Sequence, residues 1–406
     1  MSTIPAVAGS LLDRIEFARA RTDELFELLK PSALYSRPIP ERHRLIFYLG
    51  HLEAFDWNQI CRQALDIPSF HPEFDKLFEF GIDPPVGKAA EDQPSDWPSE
   101  GEVRAYNQRT RQIIDEVFHQ APTQILNVAL EHRLMHAETF AYLLHNLPFD
   151  QKVRDERRIA HSTSRIESPM ISIPAGRATL GQKTGQFGWD NEFDEHVLNV
   201  PSFAIGKYKV TNGDYLRFLE DGARPPHFWI RRAREWFYRG MFDEIPLPLN
   251  ASTYVTYEEA TAYANWAGKA LPTEAQFHRA AYATPAGRER EYPWGDEPPL
   301  ARHGNFDFHA WDPEDVDAYP AGDSAFGVSQ LIGNGWEWTS TPFGPFDGFK
   351  PFPFYPGYSQ NFFGEEHYVL KGASPRTAAT FLRRSFRNWF RPDYPYVYST
   401  FRLVEN

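Results

Sequence analysis

The sequence predicts a multidomain protein, a bundle of long α-helices followed by an α+β domain with much irregular structure. Three observations carry that expectation. The 406 residues exceed what one hydrophobic core usually serves. Apolar residues recur at helical spacing in four long segments within about the first 150 residues. Beyond them the periodicity shortens, in a chain whose 34 prolines and 16% aromatic residues point to irregular backbone pinned by large rings.

Ser10 is placed to cap a first helix from Leu11 to Leu29, which Lys30-Pro31 ends. Pro38 to Arg42 marks a second boundary. Leu45 to Leu65 then reads as a helix carrying Phe47, Leu49, Phe55, Trp57 and Ile60. Pro84 to Pro98, rich in Pro, Asp and Ser, is a loop, and Ser99 can cap a third helix from Glu100 to about His119. The fourth runs from Pro122 to His145, with Ile125, Val128, Ala129, Leu130, Leu134 and Met135 at helical spacing. Pro122 suits its start, Thr123 also suits an N-cap, and Asn146 through Pro148 supplies the stop. Such helices suggest an antiparallel bundle, in which metal sites are built from inward side chains on facing helices.

Arg154 to Ser168 is polar and without periodicity, so the domains are expected at 1–160 and 161–406. Met170 to Leu180 alternates and carries Pro174-Ala175-Gly176-Arg177, a strand running into a turn, and Ser202 to Val210 is similar. Short helices are expected at Asn212–Leu219, at Tyr257–Gly268, where Thr256 and Glu259 have capping-box spacing, and at Pro272–Tyr282. From Pro293 to Asn406 the pattern is short strands and long loops, whose surfaces commonly bind ligands.

Hydrophobic content of 42% and charged content of 24% fit a soluble globular protein. A net charge of -13 argues against a nucleic-acid groove and against adhesion to anionic membrane. No apolar run reaches bilayer length, and Met1 to Ser10 lacks a signal-peptide pattern, so the cytoplasm is the expected compartment. Cys61 is the only cysteine of the sequence, which excludes an intrachain disulfide and a cysteine-rich zinc site.

The chemistry-bearing stretch is Glu131-His132-Arg133-Leu134-Met135-His136-Ala137-Glu138. On a helix His132 and His136 lie one turn apart on one face and can converge on one metal ion; such pairs also serve as polar faces or hydrogen-bonded core pairs. His51, a lone polar ring amid large apolar residues, is the candidate third ligand, with Gly50 beside it allowing close helix approach. Its alternative is a core histidine bonded to a backbone carbonyl. Three imidazoles suit Fe(II), Zn(II) or Cu(II), and ligand type alone does not choose among them. Arg133 stands where a zinc protease carries its Glu base, which argues against protease chemistry. Glu138 points away from the pair and suits a supporting or packing role.

Ordered motifs across both halves carry a resemblance. They are Leu49-Gly50-His51 and the His132, His136, Glu138 pattern, then Tyr208-Lys209-Val210-Thr211-Asn212, Ala270-Leu271-Pro272-Thr273-Glu274 and Tyr292-Pro293-Trp294-Gly295-Asp296. Gly333-Asn334-Gly335-Trp336-Glu337-Trp338-Thr339, Tyr368 to Ser374, Phe386-Arg387-Asn388-Trp389 and Phe401-Arg402 follow. Over nearly its whole length the chain resembles the EgtB-type sulfoxide synthases of ergothioneine biosynthesis. These join an N-terminal four-helix DinB-like bundle to a C-type-lectin-like domain of the formylglycine-generating-enzyme type. The resemblance implies that His51, His132 and His136 hold Fe(II), and that hercynine, a thiol donor and O2 are the small-molecule substrates. It implies substrate contacts from Asn388, Trp389 and Tyr358. It makes Tyr355 the catalytic phenol, donating a proton, or a proton with an electron, during oxygen activation.

In the resemblance Trp336, Glu337, Trp338 and Asn334 match a motif shared by the fold whatever the chemistry, and read as structural. Arg376, Arg383, Arg384 and Arg387 form a basic cluster, either a clamp for substrate carboxylates or surface partners of the excess acids. Departures bear on the donor. Met135 stands where many members carry a substrate-touching Gln, and Phe390 where the γ-glutamylcysteine-using branch carries an Asp. Gly372-Ala373-Ser374-Pro375-Arg376-Thr377 replaces the usual Gly-Gly-Ser-Trp-Ala-Thr. Free cysteine is therefore expected over γ-glutamylcysteine. A selenoneine-type synthase with a selenium donor, a non-catalytic lectin-like binding protein and a zinc-dependent thiol transferase are the alternatives.

Overall fold

Local capping starts two of the long helices where the sequence places them. In α1 (Leu11–Glu27) the Ser10 hydroxyl accepts from the Asp13 amide, and the Asp13 carboxylate accepts from Ser10 in return. In α4 (Glu100–Val117) Ser99 and Glu102 form the same reciprocal pair. The chain is seen in a computed structural model that describes residues 9–79, 90–155, 161–162 and 166–405. It divides into two compact units between Asp155 and Glu156. The loop expected at Pro84–Pro98 and the polar stretch Arg154–Ser168 lie partly outside the described residues.

The first unit is the helical bundle. Every residue of α2 (Leu45–Asp56) is buried, so this helix forms the spine of the unit. The expected helix to Leu65 changes character at Trp57, where the chain widens into a π-helix to Ala64, burying Trp57, Ile60 and Cys61. A short helix absent from the sequence reading, α3 (Pro72–Leu77), follows. The longest helix, α5 (Thr123–Asn146), is preceded by Pro122 and is buried along most of its length. α5 packs against α1 and α2, and α2 also packs against α4.

Buried charge ties these helices together. Arg133 of α5 forms two bonds to Glu53 of α2, at 3.0 and 2.7 Å, and a third to Asp56 at 2.6 Å. Arg111 of α4 joins Glu53 to Asp23 of α1. Arg133 and Glu53 are both fully enclosed, so each charge depends on its partner.

In the second unit Met170–Leu180 is two strands rather than one. The turn at Pro174-Ala175 separates β1 (Met170–Ile173) from β2 (Gly176–Leu180), and the two enter different sheets. β2 pairs antiparallel with β3 (His196–Val200), and β1 with β4 (Phe203–Gly206), whose other edge takes β12 (Val404–Glu405). Helix α6 (Asn212–Glu220) follows, then a meander of β5 (Trp229–Arg232), β6 (Glu235–Arg239) and β7 (Glu244–Pro246). Helices α7 (Tyr257–Trp266) and α8 (Glu274–Tyr282) are both capped by capping boxes, from Thr256 and Thr273. The core packs Phe277 and Ala281 of α8 against Ile173, Leu180, Phe203 and Ile205.

The four-stranded sheet carries the motifs of the C-terminal region. Its order is β10 (Asn388–Phe390), β9 (Tyr368–Ala373), β8 (Gly335–Pro342) and β11 (Ser399–Thr400). Glu337 of β8 is completely buried between Lys209 at 2.7 Å and Arg402 at 2.9 Å. Arg402 also donates to the carbonyls of Gly206, Lys207 and Ser329, so its guanidinium joins three stretches of chain. The Asn334 side chain bridges Glu314, Gln330 and Asn305 with its backbone at positive φ, and the Trp338 indole donates to the Val255 carbonyl. These motif residues hold the fold, the structural role the sequence expects for them.

Candidate metal centre

α2 and α5 bring three histidines together in the bundle. One nitrogen from each of His51, His132 and His136 lies within 4.8 Å of the others. His51 and His132 are buried and His136 is half-buried. The pair on α5 follows from one-turn spacing, and His51 meets it because α2 packs along α5.

The rings are held by their neighbours. Phe55 stacks on His132 with centroids 3.4 Å apart, and Phe47 stacks on His51 at 4.9 Å. Phe47, His51 and Phe55 recur every fourth residue of α2, so one face of the helix supplies a ligand and its two aromatic supports. His51 Nδ1 lies 2.8 Å from the Phe78 carbonyl. A carbonyl only accepts, so Nδ1 carries a proton, and the neutral ring then has its lone pair at Nε2. The two readings of His51, core histidine bonded to a carbonyl and metal ligand, are thus compatible: each uses a different nitrogen.

The donor set fits a metal ion. His51 Nε2 and His136 Nε2 face each other at 3.3 Å. Two imidazole nitrogens each about 2.1 Å from one ion lie roughly 3 to 3.4 Å apart. Neither ring nitrogen of His132, nor Nδ1 of His136, has a hydrogen-bond partner among the described residues. Burial pushes His132 and His136 well below the usual imidazole range, and the neighbouring imidazoles add to the effect. Neutral imidazoles are the form that ligates. Arg133, between them in sequence, is committed to Glu53 and Asp56 and offers no general base.

Met135 and Glu138 are half-buried on α5. The remaining predicted residues lie in the second unit. Tyr355, Tyr358 and Trp389 gather in one aromatic cluster: Tyr358 lies 5.6 Å from Tyr355 and 5.4 Å from Trp389, edge-on to the indole. Sequence reading missed the centre of that cluster. Trp189 stacks on Tyr358 at 3.9 Å and meets Tyr355 at 6.4 Å, and Asp190 beside it is hydrogen-bonded to Ser359. Burial, and then the Asp190 carboxylate, raise the Tyr355 phenol well above the usual tyrosine range, so it holds its proton. Asn388 accepts from the Trp389 amide at 2.9 Å, and Phe390 stacks on Tyr394 at 5.5 Å.

Three arginines of the basic cluster pair with acids of the same unit, Arg383 and Arg387 with buried ones and Arg384 with half-buried ones. Arg383 binds buried Glu192, and Arg384 reaches Glu289 and Glu195. Arg387 is buried, donates to Glu274 and to the carbonyls of Asn191 and Gly344, and packs over Phe346 at 4.2 Å. Arg376 is buried with its guanidinium 3.9 Å above Trp311.

Comparison with known proteins divides the chain in two. Residues 14–145 match the DinB superfamily, and residues 157–406 match the sulfatase-modifying factor enzyme 1-like domain. The chain is 35% identical over 318 residues to hercynine oxygenase of Mycolicibacterium thermoresistibile, spanning 72% of this chain and 71% of that protein. It is 31% identical to hercynine oxygenase of Mycolicibacterium smegmatis, over 97% of this chain and 98% of the relative. Ergothioneine biosynthesis protein 1 of Neurospora crassa is 25% identical, over 94% of this chain and 56% of its own length.

Proposed function

The chain belongs to the hercynine oxygenase family, and from that premise we propose that it is a sulfoxide synthase joining a thiol donor to hercynine with Fe(II) and O2. It is an oxygen-dependent enzyme acting on hercynine, in ergothioneine biosynthesis. The observation that carries the finer reading is the triad, three largely buried imidazoles converging within 4.8 Å. Three nitrogen ligands leave positions open for reactants, the arrangement oxygen-activating iron sites require.

The proposed reaction balances without a further co-reactant. A ring C–H of hercynine and the donor S–H are replaced by a C–S bond. One atom of O2 becomes the sulfoxide oxygen, and the other leaves with the two hydrogens as water. Iron, when bound by His51, His132 and His136, supplies the redox chemistry for O2 and the Lewis acidity that favours a thiolate. The chain's own groups do the rest. Phe47 and Phe55 fix two of the ligand rings, and burial keeps His132 and His136 neutral. Tyr355 is the proposed proton donor, and its raised phenol pKa keeps it a donor at physiological pH. Asn388, Trp389, Tyr358 and Met135 are the proposed substrate contacts, whereas the Arg387 charge is already balanced by Glu274. Phe390 presents an apolar ring stacked on Tyr394 and cannot pair with a donor amino group, so cysteine is the favoured donor over γ-glutamylcysteine.

Anaerobic purification, metal analysis and O2 uptake with hercynine plus cysteine, γ-glutamylcysteine or a selenosugar test this. Hercynine-dependent uptake fastest with cysteine, and iron lost in His132→Ala, are expected. Full iron retention in that variant would refute the ligand set, and preference for the selenosugar would move the activity to selenium. Tyr355→Phe should keep iron and substrate binding while sulfoxide formation slows at least tenfold. An unchanged rate and product ratio would remove it from the mechanism.

A further inference from the structure

The short helix α3 is not one of the four long helices, yet it is tied to them with unusual care. Asp75 is buried and its carboxylate receives two hydrogen bonds, from the Trp57 indole at 3.0 Å and the Tyr106 hydroxyl at 2.8 Å. Its backbone carbonyl receives a third from the Asn58 side chain at 3.2 Å. Trp57 and Asn58 belong to the π-helical continuation of α2, and Tyr106 to α4. The height of α3 is therefore set from both sides.

Three residues on, Phe78 ends this helix and touches the metal centre twice. Its carbonyl accepts the His51 Nδ1 proton at 2.8 Å. Its ring lies flat on α2 over Gly50, the residue before the ligand: a Cβ at position 50 would stand 2.6 Å from three ring carbons. Gly50 was expected to admit a neighbouring helix. It admits the Phe78 ring instead, and with it the carbonyl that fixes His51.

We propose that Asp75, Phe78 and Gly50 are positioning residues for the metal centre: Asp75 anchors α3, Gly50 clears space for the Phe78 ring, and the Phe78 carbonyl selects the His51 tautomer that ligates through Nε2. The inference rests on the reading of the triad as a metal site. Without the carbonyl the imidazole proton is free to move to Nε2, and the ring, though still stacked on Phe47, loses the hydrogen bond that sets its rotation. Both losses are then made good only on binding. Groups that orient a ligating histidine through its second nitrogen typically contribute about 10- to 100-fold in metal affinity.

The test uses the full-length protein, with Co(II) as an optical probe of affinity and ring-nitrogen NMR of the metal-free form as a readout independent of activity. Wild type should show His51 protonated at Nδ1, a resonance assigned by its loss in His51→Ala. Gly50→Ala should weaken Co(II) binding by roughly 10- to 100-fold and shift His51 toward the Nε2-protonated form. Gly50→Ala combined with Phe78→Ala removes the clash while keeping a backbone carbonyl at position 78, and should recover much of the affinity. Should Gly50→Ala not fold, Asp75→Asn, which preserves size, should give a smaller loss of affinity with unchanged helix content. Wild-type affinity and tautomer in the variant, or a double variant weaker than the single, would overturn the proposal. If wild type binds no divalent metal the metal-site reading fails, yet the tautomer spectra of the metal-free variants still decide whether this segment controls His51.

Discussion

At the scale of single residues, two of the three triad histidines were written in local spacing and the third was not. His132 and His136 share a helix face, so their convergence needs only 3.6 residues per turn. His51 lies 81 residues before His132, and its partnership is a fact of tertiary packing that periodicity does not encode. Trp189 escaped for the same reason: a lone tryptophan has no local pattern, and its place against Tyr358 is set by loops distant in sequence. Arg133, a negative argument in the sequence, proves to be the centre of a buried charge network with Glu53 and Asp56. The two acids respond to it differently. Burial raises Glu53, but the arginines Arg133, Arg111 and Arg19 outweigh it and hold the carboxyl at about 2. Asp56 has its pKa raised by burial and by Glu53, with Arg133 opposing. An acid with a depressed folded pKa contributes stability that is fully present above its unfolded value and disappears as pH falls to the folded one. For Glu53 that window runs from about 4.5 down to about 2. Asp56, shifted upward, takes its proton at milder acidity and contributes no loss there. Melting temperature measured against pH should therefore fall less steeply across this window in Glu53→Gln than in wild type. Parallel curves for the two proteins would show that the network does not carry the acid sensitivity.

Elements were legible where a short-range rule governs them. The serine caps of α1 and α4 and the capping box at Thr256–Glu259 are all formed, because each depends on a few consecutive residues. Ser99→Ala removes an exposed cap with no burial change, so it should cost about 1 kcal/mol in urea unfolding with an unchanged slope. A loss several times larger would mean that Ser99 does more than cap. The π-helix from Trp57 was read as a continuation of α2, because its buried Trp57, Ile60 and Cys61 repeat at a spacing that an α-helix also satisfies. α3 is six residues long, too short for periodicity to show. β1 and β2 were merged because alternation runs across the turn that separates them. What was lost at this scale is the level at which the His51 carbonyl partner is built.

Taken as a whole, the chain announced its two parts through a change of texture, from long amphipathic periods to short strands among aromatic loops. Each part is stabilised in a way its composition suggests. The bundle buries α2 on all sides, and the second unit closes its sheets around α8 and the Lys209–Glu337–Arg402 cluster. The net charge of -13 hides how thoroughly arginine is used inside, since Arg133, Arg387 and Arg402 are all buried against acids. Cys61, the only cysteine of the sequence, is enclosed by the π-helix, and burial, then Asp56 and Asp75, push its thiol up to about 12. Native protein should resist iodoacetamide at pH 8 and be alkylated only after unfolding, as mass spectrometry would show; rapid native labelling would place the thiol in reach of solvent. On the proposed reading the enzyme meets a free thiol together with O2, a mixture in which disulfides form. With its one sulfhydryl held protonated in the interior, this chain would then offer such disulfides no thiolate to exchange with, and would escape capture as a mixed disulfide with the proposed donor.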